Sequence, residues 1–358
     1  MPVSFSIQSN IHDYDVFVEQ TPEFIETLAV HPQACFVVDK NVWNIYAETL
    51  LKSLPEQHTI VLRVNEDRKN LETVQDLYDH LVERPAKRNL TLISLGGGIL
   101  QDITGFAAST LYRGIKWIYV PTTLLAQADS CIGSKTSLNF RKYKNLIGTF
   151  YPPRRIYIYP PFVQSQLDID FLSGIGEVVK LHLMGGIEYF RELVQMSAEL
   201  LKREPAAMLR AIQRSLHVKL SYIIEDEFDT GRRNLLNFGH DFGHALETTS
   251  NFAVPHGQAV IFGMLAANLM AERRALLDER LEQEIAASLL IPSLVIRPSP
   301  EAMEPKAIVS AMKKDKKRTG DQLALIMMTD GFSFTRVNDV TPEEVISALD
   351  ALRIRLSF

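Results

Sequence analysis

Two hydrophobic periods run along the chain. Between residues 30 and 160, short runs rich in β-branched and aromatic residues recur: ACFVVD (34–39), TIVLRV (59–64), LTLISL (90–95), WIYV (117–120) and RIYIY (155–159). Amphipathic stretches separate them, among them 70–82, with Leu71, Val74, Leu77 and Leu81 on one face, and 100–112. Continuous apolar strands alternating with helices predict a parallel sheet covered on both faces. After Pro160-Pro161 the period changes to that of helices, predicted over 174–184, 187–201, 206–224, 233–249 and 257–275. LALIMM (323–328) and FSFTRV (332–337), flanking Thr329-Asp330-Gly331, predict one small hairpin. The expected organisation is an α/β domain over 1–161 and a helical domain over 162–358, closely packed, with the crevice between them as the expected site.

Composition narrows the class. At 358 residues the chain exceeds the size at which a single core usually stops growing, and its 46% hydrophobic and 23% charged residues are those of a globular protein. A net charge of −5 gives no basic excess for a nucleic acid. No apolar run reaches the ~20 residues of a membrane span, and Asp13, Asp15 and Glu19 do not suit a signal peptide. Two cysteines, Cys35 and Cys131, cannot build a disulfide framework and fit a reducing cytoplasm.

Three groups of residues carry chemistry. Gly96-Gly97-Gly98 follows a strand and precedes a helix, where backbone N–H groups can approach a pyrophosphate; a plain tight turn explains it equally well. Asp39 ends a strand, where a carboxylate can accept from a ribose, and Thr122-Thr123 ends another. Arg233, Asn237, His240 and His244 lie at i, i+4, i+7 and i+11 of the predicted 233–249 helix, at roughly 0°, 40°, −20° and 20°, so they share one face. The rest of that helix is apolar, and Gly239 and Gly243 suggest that something large approaches its backbone. His256 opens the next helix and Glu177 lies in GEVVK; with a histidine they make the one-carboxylate, two-imidazole set of a catalytic Zn²⁺. Glu177 and Lys180, at i and i+3, also fit a helix-surface ion pair. Finally, Lys135, Lys142 and Lys144 fall in a stretch whose glycine and serine predict a loop. With Arg113, Lys180, Lys219 and Arg233 they suit a small substrate carrying two anionic groups.

Taken together, GGGILQDITGFAASTLYRG (96–114), VPTTLLAQADSCIGSKT (120–136), KNLIGTF (144–150), GEVVK (176–180) and RNLLNFGHDFGHALE (233–247) resemble the sugar phosphate cyclases, and the 3-dehydroquinate synthases most of all. The resemblance runs from about Asp39 to Gly320. It implies an NAD-binding α/β domain, a helical metal-binding domain, and NAD with Zn²⁺, or Co²⁺, as cofactors. Carried over motif by motif, it makes Glu177, His240 and His256 the metal ligands. Asp39, Glu66, Lys69, Gly97, Gly98, Asp102, Thr122, Thr123, Asp129 and Lys144 become NAD contacts. Lys135, Lys219 and Arg233 would hold a substrate carboxylate. Asn145, Lys180, Asn237, His244 and Lys316 would surround the reacting ring and phosphate, with His244 as proton relay. Arg113 would reach the phosphate of a partner subunit, so a homodimer is implied.

The chain departs from that family's pattern at Ser134, where glycine is usual, at Gln258, where glutamate is usual, at Ile169-Asp170 in place of Arg-Glu, and at Phe228 in place of arginine. None is a group assigned above to catalysis. The substrate expected from Lys135, Lys219 and Arg233 is 3-deoxy-D-arabino-heptulosonate 7-phosphate (DAHP), cyclised to 3-dehydroquinate. A cyclase of neutral sugar phosphates and a metal-dependent polyol dehydrogenase are the competing enzyme readings, and a non-catalytic scaffold the third.

Overall fold

A computed structural model describes residues 3–83, 88–141, 143–313 and 323–357. The chain forms two compact units, Met1–Gln166 with Leu220–Phe228, and Leu167–Lys219 with Asp229–Phe358. The division therefore falls five residues beyond the expected 161/162 boundary. The end of the Pro205–Glu225 helix and the residues just after it count with the first unit.

The first unit is built on a seven-stranded sheet. Its strands are β1 (Val3–Ile7), β2 (Tyr14–Val18), β3 (Ala34–Asp39), β4 (Thr59–Leu62), β5 (Thr91–Gly96), β6 (Lys116–Pro121) and, after the hairpin β7 (Lys135–Phe140) and β8 (Tyr143–Phe150), β9 (Arg155–Ile158). The spatial order is β1-β2-β9-β6-β5-β3-β4, parallel throughout except for the β1–β2 edge. Every residue of β5 is buried, which is why this strand reads as a continuous apolar run. Helices cover it: Leu71–Val82 starts where the Asn70 side chain accepts from Thr73 N (2.9 Å) and buries Val74, Leu77 and Leu81.

Four strands escape the sequence pattern. β1 and β2 lie before the first predicted run, and β7 and β8 replace the loop expected around the lysines. The hairpin is mostly exposed along β8, so no apolar alternation marks it.

The second unit is mainly helical. Asp168–Met184, Ile187–Leu201 and most of Pro205–Glu225 lead to His240–Thr249 and His256–Arg273, and the hairpin β10 (Leu323–Thr329) and β11 (Ser333–Val340) precedes a last helix, Pro342–Arg355. The expected 233–249 helix is two pieces. Residues Arg232–Asn237 form a 3₁₀ turn, Phe238 is extended, and Gly239, in left-handed backbone at φ 78°, caps a helix that begins at His240. The cause is contact with the His256–Arg273 helix: a Cβ on Gly263 would stand 1.9 Å from Gly239 O. The large object approaching these glycines is that helix.

Candidate functional site

Within the helical unit, three side chains from three helices converge. Glu177 comes from the Asp168–Met184 helix, His240 begins the His240–Thr249 helix, and His256 begins the His256–Arg273 helix. Their ligand atoms lie within 4.8 Å of one another. Glu177 Oε1 is 3.5 Å from His240 Nε2 and 3.4 Å from His256 Nε2. One carboxylate and two imidazoles are the donor chemistry of a catalytic divalent cation with coordination positions left over, and they fit Zn²⁺. Lys180 Nζ stands 2.5 Å from Glu177 Oε2. Both side chains are buried, so the pair is no surface ion pair.

Electrostatics agree with a cation site. Burial, helped by Lys180 and the two neighbouring imidazoles, holds His240 well below the usual histidine range, so it is neutral and able to ligate. Burial also opposes charge on His256, but hydrogen bonding to Glu177 and Glu247 outweighs it and lifts the imidazole to about 10.

His244 lies on the same helix as His240, with ring centroids 5.5 Å apart. Asn237, His240 and His244 line a cavity of about 280 Å³ whose opposite wall includes Leu325 and Arg336 of the β10–β11 hairpin. Arg233 is not among its lining residues, although Asn234 and Asn237 of the same turn are. It is buried nonetheless, as are Lys180 and Lys219. The family position Lys316 lies outside the described residues, and so does Lys142.

In the sheet unit, the Gly98–Thr110 helix starts at Gly97 with no side-chain cap, as a phosphate-binding helix terminus requires. Gly97 is already needed by packing: its Cβ would meet Thr123 Cγ2 at 2.9 Å. Thr122 N donates to Gly96 O (3.0 Å), fixing the two strand ends side by side. Asp39 caps the helix after β3, accepting from Asn41 N (2.7 Å), so the carboxylate has a structural partner at the position read as a ribose acceptor. Asp129 sits in a π-helical turn, Ala126–Ser130.

Glu66, Lys69 and Asp102 join a network that the sequence does not reveal. Lys69 Nζ reaches Asp102 Oδ2 (2.5 Å) and donates to Asn145 Oδ1 (2.7 Å). Ser137 donates to Asp102 through both its N–H and its hydroxyl (3.0 Å each). Asn139 Nδ2 donates to Glu66 Oε1 (2.8 Å). Burial raises the Asp102 carboxyl, against the pull of Lys69. Asn145, expected beside the reacting ring, is therefore tied into the hairpin with Lys69. Lys135 and Lys144 are exposed on that hairpin, and Arg113 is exposed in left-handed backbone at φ 64°.

Two departures gain reasons. Gln258 is fully buried; its Nε2 donates to Leu172 O (3.0 Å) and Ser293 O (3.1 Å), and its Oε1 accepts from Ile296 N (3.0 Å). A glutamate cannot make both donations. Ser134 holds a left-handed backbone (φ 65°), for which glycine is the natural residue.

The comparisons follow this architecture. The model of the 3-dehydroquinate synthase N-terminal region matches residues 59–172, and that of the C-terminal region matches residues 174–318. A 3-dehydroquinate synthase of Nitrosococcus oceani is 37% identical over 314 residues, 85% of this chain and 87% of the relative. One of Acetivibrio thermocellus is 32% identical, covering 91% of this chain and 92% of the relative. Among solved structures, a 2-epi-5-epi-valiolone synthase of Streptomyces hygroscopicus subsp. jinggangensis 5008, with NAD⁺ and Zn²⁺ bound, matches with a TM-score of 0.85 at 27% identity, over 98% of this chain and 99% of that one. With family models spanning both units and relatives above 30% identity along most of its length, the chain belongs to the 3-dehydroquinate synthase family.

Proposed function

We propose that this protein is an NAD- and divalent-metal-dependent sugar phosphate cyclase that converts DAHP to 3-dehydroquinate with loss of phosphate. The observation that carries the reading is the convergence of Glu177, His240 and His256 in a unit that also buries Lys180, Lys219 and Arg233. Fixed positive charge in the unit that holds the donor set suits an anionic substrate, and DAHP carries a carboxylate and a phosphate.

Glu177, His240 and His256 would hold the metal. Gly97, Gly98, Thr122, Thr123, Asp39 and Asp129 would hold NAD, with Lys69 and Asp102 stiffening the fold under it. Bound, the two groups supply a hydride acceptor regenerated within each turnover and Lewis-acid polarisation of a substrate oxygen. The chain's own residues do the rest. Arg233, with Lys219, orients the carboxylate; its planar fork suits that group better than a lysine. Lys180, held by Glu177, supplies fixed positive charge near the metal ligands, and Asn237 presents an amide to the cavity. His244, on the wall of that cavity, moves the proton of the reacting hydroxyl. Arg113, exposed on its turn, reaches the phosphate in a second copy, which makes the working unit a homodimer. Cys35 and Cys131, both buried and neither in a disulfide, are consistent with a cytoplasmic location.

The structural likeness to a 2-epi-5-epi-valiolone synthase supports a second reading, a cyclase acting on a neutral sugar phosphate. Purified protein supplied with Zn²⁺, catalytic NAD and either DAHP or a neutral heptulose phosphate separates the two. Phosphate release from DAHP without net NADH is expected. In that reaction Arg233→Ala should lose at least ~10²-fold in kcat/KM, about 3 kcal/mol of transition-state stabilisation. Turnover of the neutral sugar alone would assign the chain to the second reading, and stoichiometric NADH would reject both.

A further inference from the structure

A buried carboxylate stands beside the proposed metal centre. Glu247, 6% exposed, lies on the His240–Thr249 helix at i+7 from His240 and i+3 from His244. At ~100° per residue these three fall at about 0°, 40° and −20°, so Glu247 shares the histidine face. Its Oε2 stands 3.4 Å from His256 Nδ1, while Nε2 of the same ring stands 3.4 Å from Glu177 Oε1. His256 is therefore gripped at both nitrogens.

That contact is the last rung of a ladder between two antiparallel helices. Gly239 faces Gly263, whose Cβ would be 1.9 Å from Gly239 O. One turn on, a Cβ at Gly243 would meet Ala259 O at 3.2 Å. One turn further, Glu247 meets His256. Small residues at the first rungs draw the backbones together, which is what lets a glutamate reach the first residue of the neighbouring helix. A neutral imidazole carries one N–H. If Nδ1 keeps it and donates to Glu247, the Nε2 lone pair is committed to the side where Glu177 and His240 lie.

We propose that Glu247 is the positioning residue of the metal centre: by accepting from Nδ1–H it fixes both the tautomer and the ring orientation of His256. The inference rests on the metal-centre reading above. The same carboxylate also belongs to a second donor set, His244, Glu247 and His256, with ligand atoms within 4.8 Å of one another. A cation there would need the Nδ1 lone pair of His256, and hence loss of the proton that the proposal assigns to it.

The test uses the full-length, metal-stripped protein, titrated with Zn²⁺ against a chromophoric chelator and with Co²⁺ while its visible bands are recorded. Glu247→Ala should weaken Zn²⁺ binding about 10- to 100-fold and change the Co²⁺ spectrum, with the far-UV circular dichroism of the metal-free protein unchanged. Glu247→Gln keeps a hydrogen-bond acceptor and should restore part of the affinity. Should Glu247→Ala lose its fold, the Gln variant alone carries the test, by its altered Co²⁺ bands. His240→Ala controls for the underlying reading: if it too binds Zn²⁺ like the wild type, the metal centre is misassigned. If His240→Ala loses the metal while both Glu247 variants bind it and colour Co²⁺ as the wild type does, the positioning role is overturned. Two ions bound per wild-type chain and one per Glu247→Ala chain would overturn it as well, making Glu247 a ligand.

Discussion

Gly176 and Gly257 touch backbone to backbone: a Cβ at Gly176 would stand 2.0 Å from Gly257 O. Each glycine is the chain neighbour of a proposed ligand, Gly176 of Glu177 and Gly257 of His256. The crossing of two helices at this point sets the separation between carboxylate and imidazole.

Gly176→Ala should therefore act on stability and on the metal together. The opposing atom is backbone and cannot swing aside, so the helices must part. A cost of about 1–3 kcal/mol or more is expected, with weakened Zn²⁺ binding. Thermal unfolding of the metal-free variant and a Zn²⁺ titration check this; unchanged values in both would mean that the crossing does not set the ligand spacing.

Gln258→Glu restores the residue usual in the family and should nonetheless destabilise this chain. The carboxylate would face Leu172 O and Ser293 O, both now served by the amide. Losing two donations in a fully buried place costs at least about 2 kcal/mol. Chemical denaturation of the variant measures it, and a neutral or stabilising result contradicts the hydrogen-bond reading.

Ser134→Gly should stabilise. Glycine accepts the left-handed backbone that Ser134 holds at φ 65°, and the buried Ser134 hydroxyl has no hydrogen-bond partner among the described residues. A gain on the order of 1 kcal/mol is expected from the two terms, reduced by the greater freedom of glycine in the unfolded chain. A fall in the unfolding midpoint would refute the assignment of strain.

His182 predicts an acid limb. Burial pushes this imidazole down to about 4, against the backbone hydrogen bond from Nδ1 to Val178 O (2.8 Å). The unfolded chain takes up the proton near pH 6.5 and the folded chain only near 4. The unfolded state thus binds more protons across that interval. Stability is full above about 6.5, declines as the pH falls, and levels off below 4, a loss of up to about 3 kcal/mol from this residue. Denaturation of the wild type and of His182→Leu across pH 4–7 tests it. The variant should lack this part of the slope, and identical slopes would count against it.

The strands at 34–39 and 90–95 were legible because burial on both faces forces continuous apolar runs, and the helix at 187–201 because one apolar stripe repeats along it. β7 and β8 were not, since a hairpin exposed along one strand and entered through Gly133-Ser134 carries no period. Glu177, His240 and His256 could be singled out as a donor set from residue type and motif. Their convergence could not, because three separate helices bring them together. The single face drawn through Arg233, Asn237, His240 and His244 assumed a continuous helix. Gly263, distant in sequence, presses on Gly239 and breaks it, so the face that exists is His240, His244 and Glu247. Glu66, Lys69 and Asp102 carried a motif, while their partners Asn139, Asn145 and Ser137 came only with the hairpin. Local sequence determined the elements and the kinds of chemistry available. Tertiary contact, mostly backbone against backbone at glycines, decided which side chains meet, because close approach depends on two distant segments at once and neither records the other.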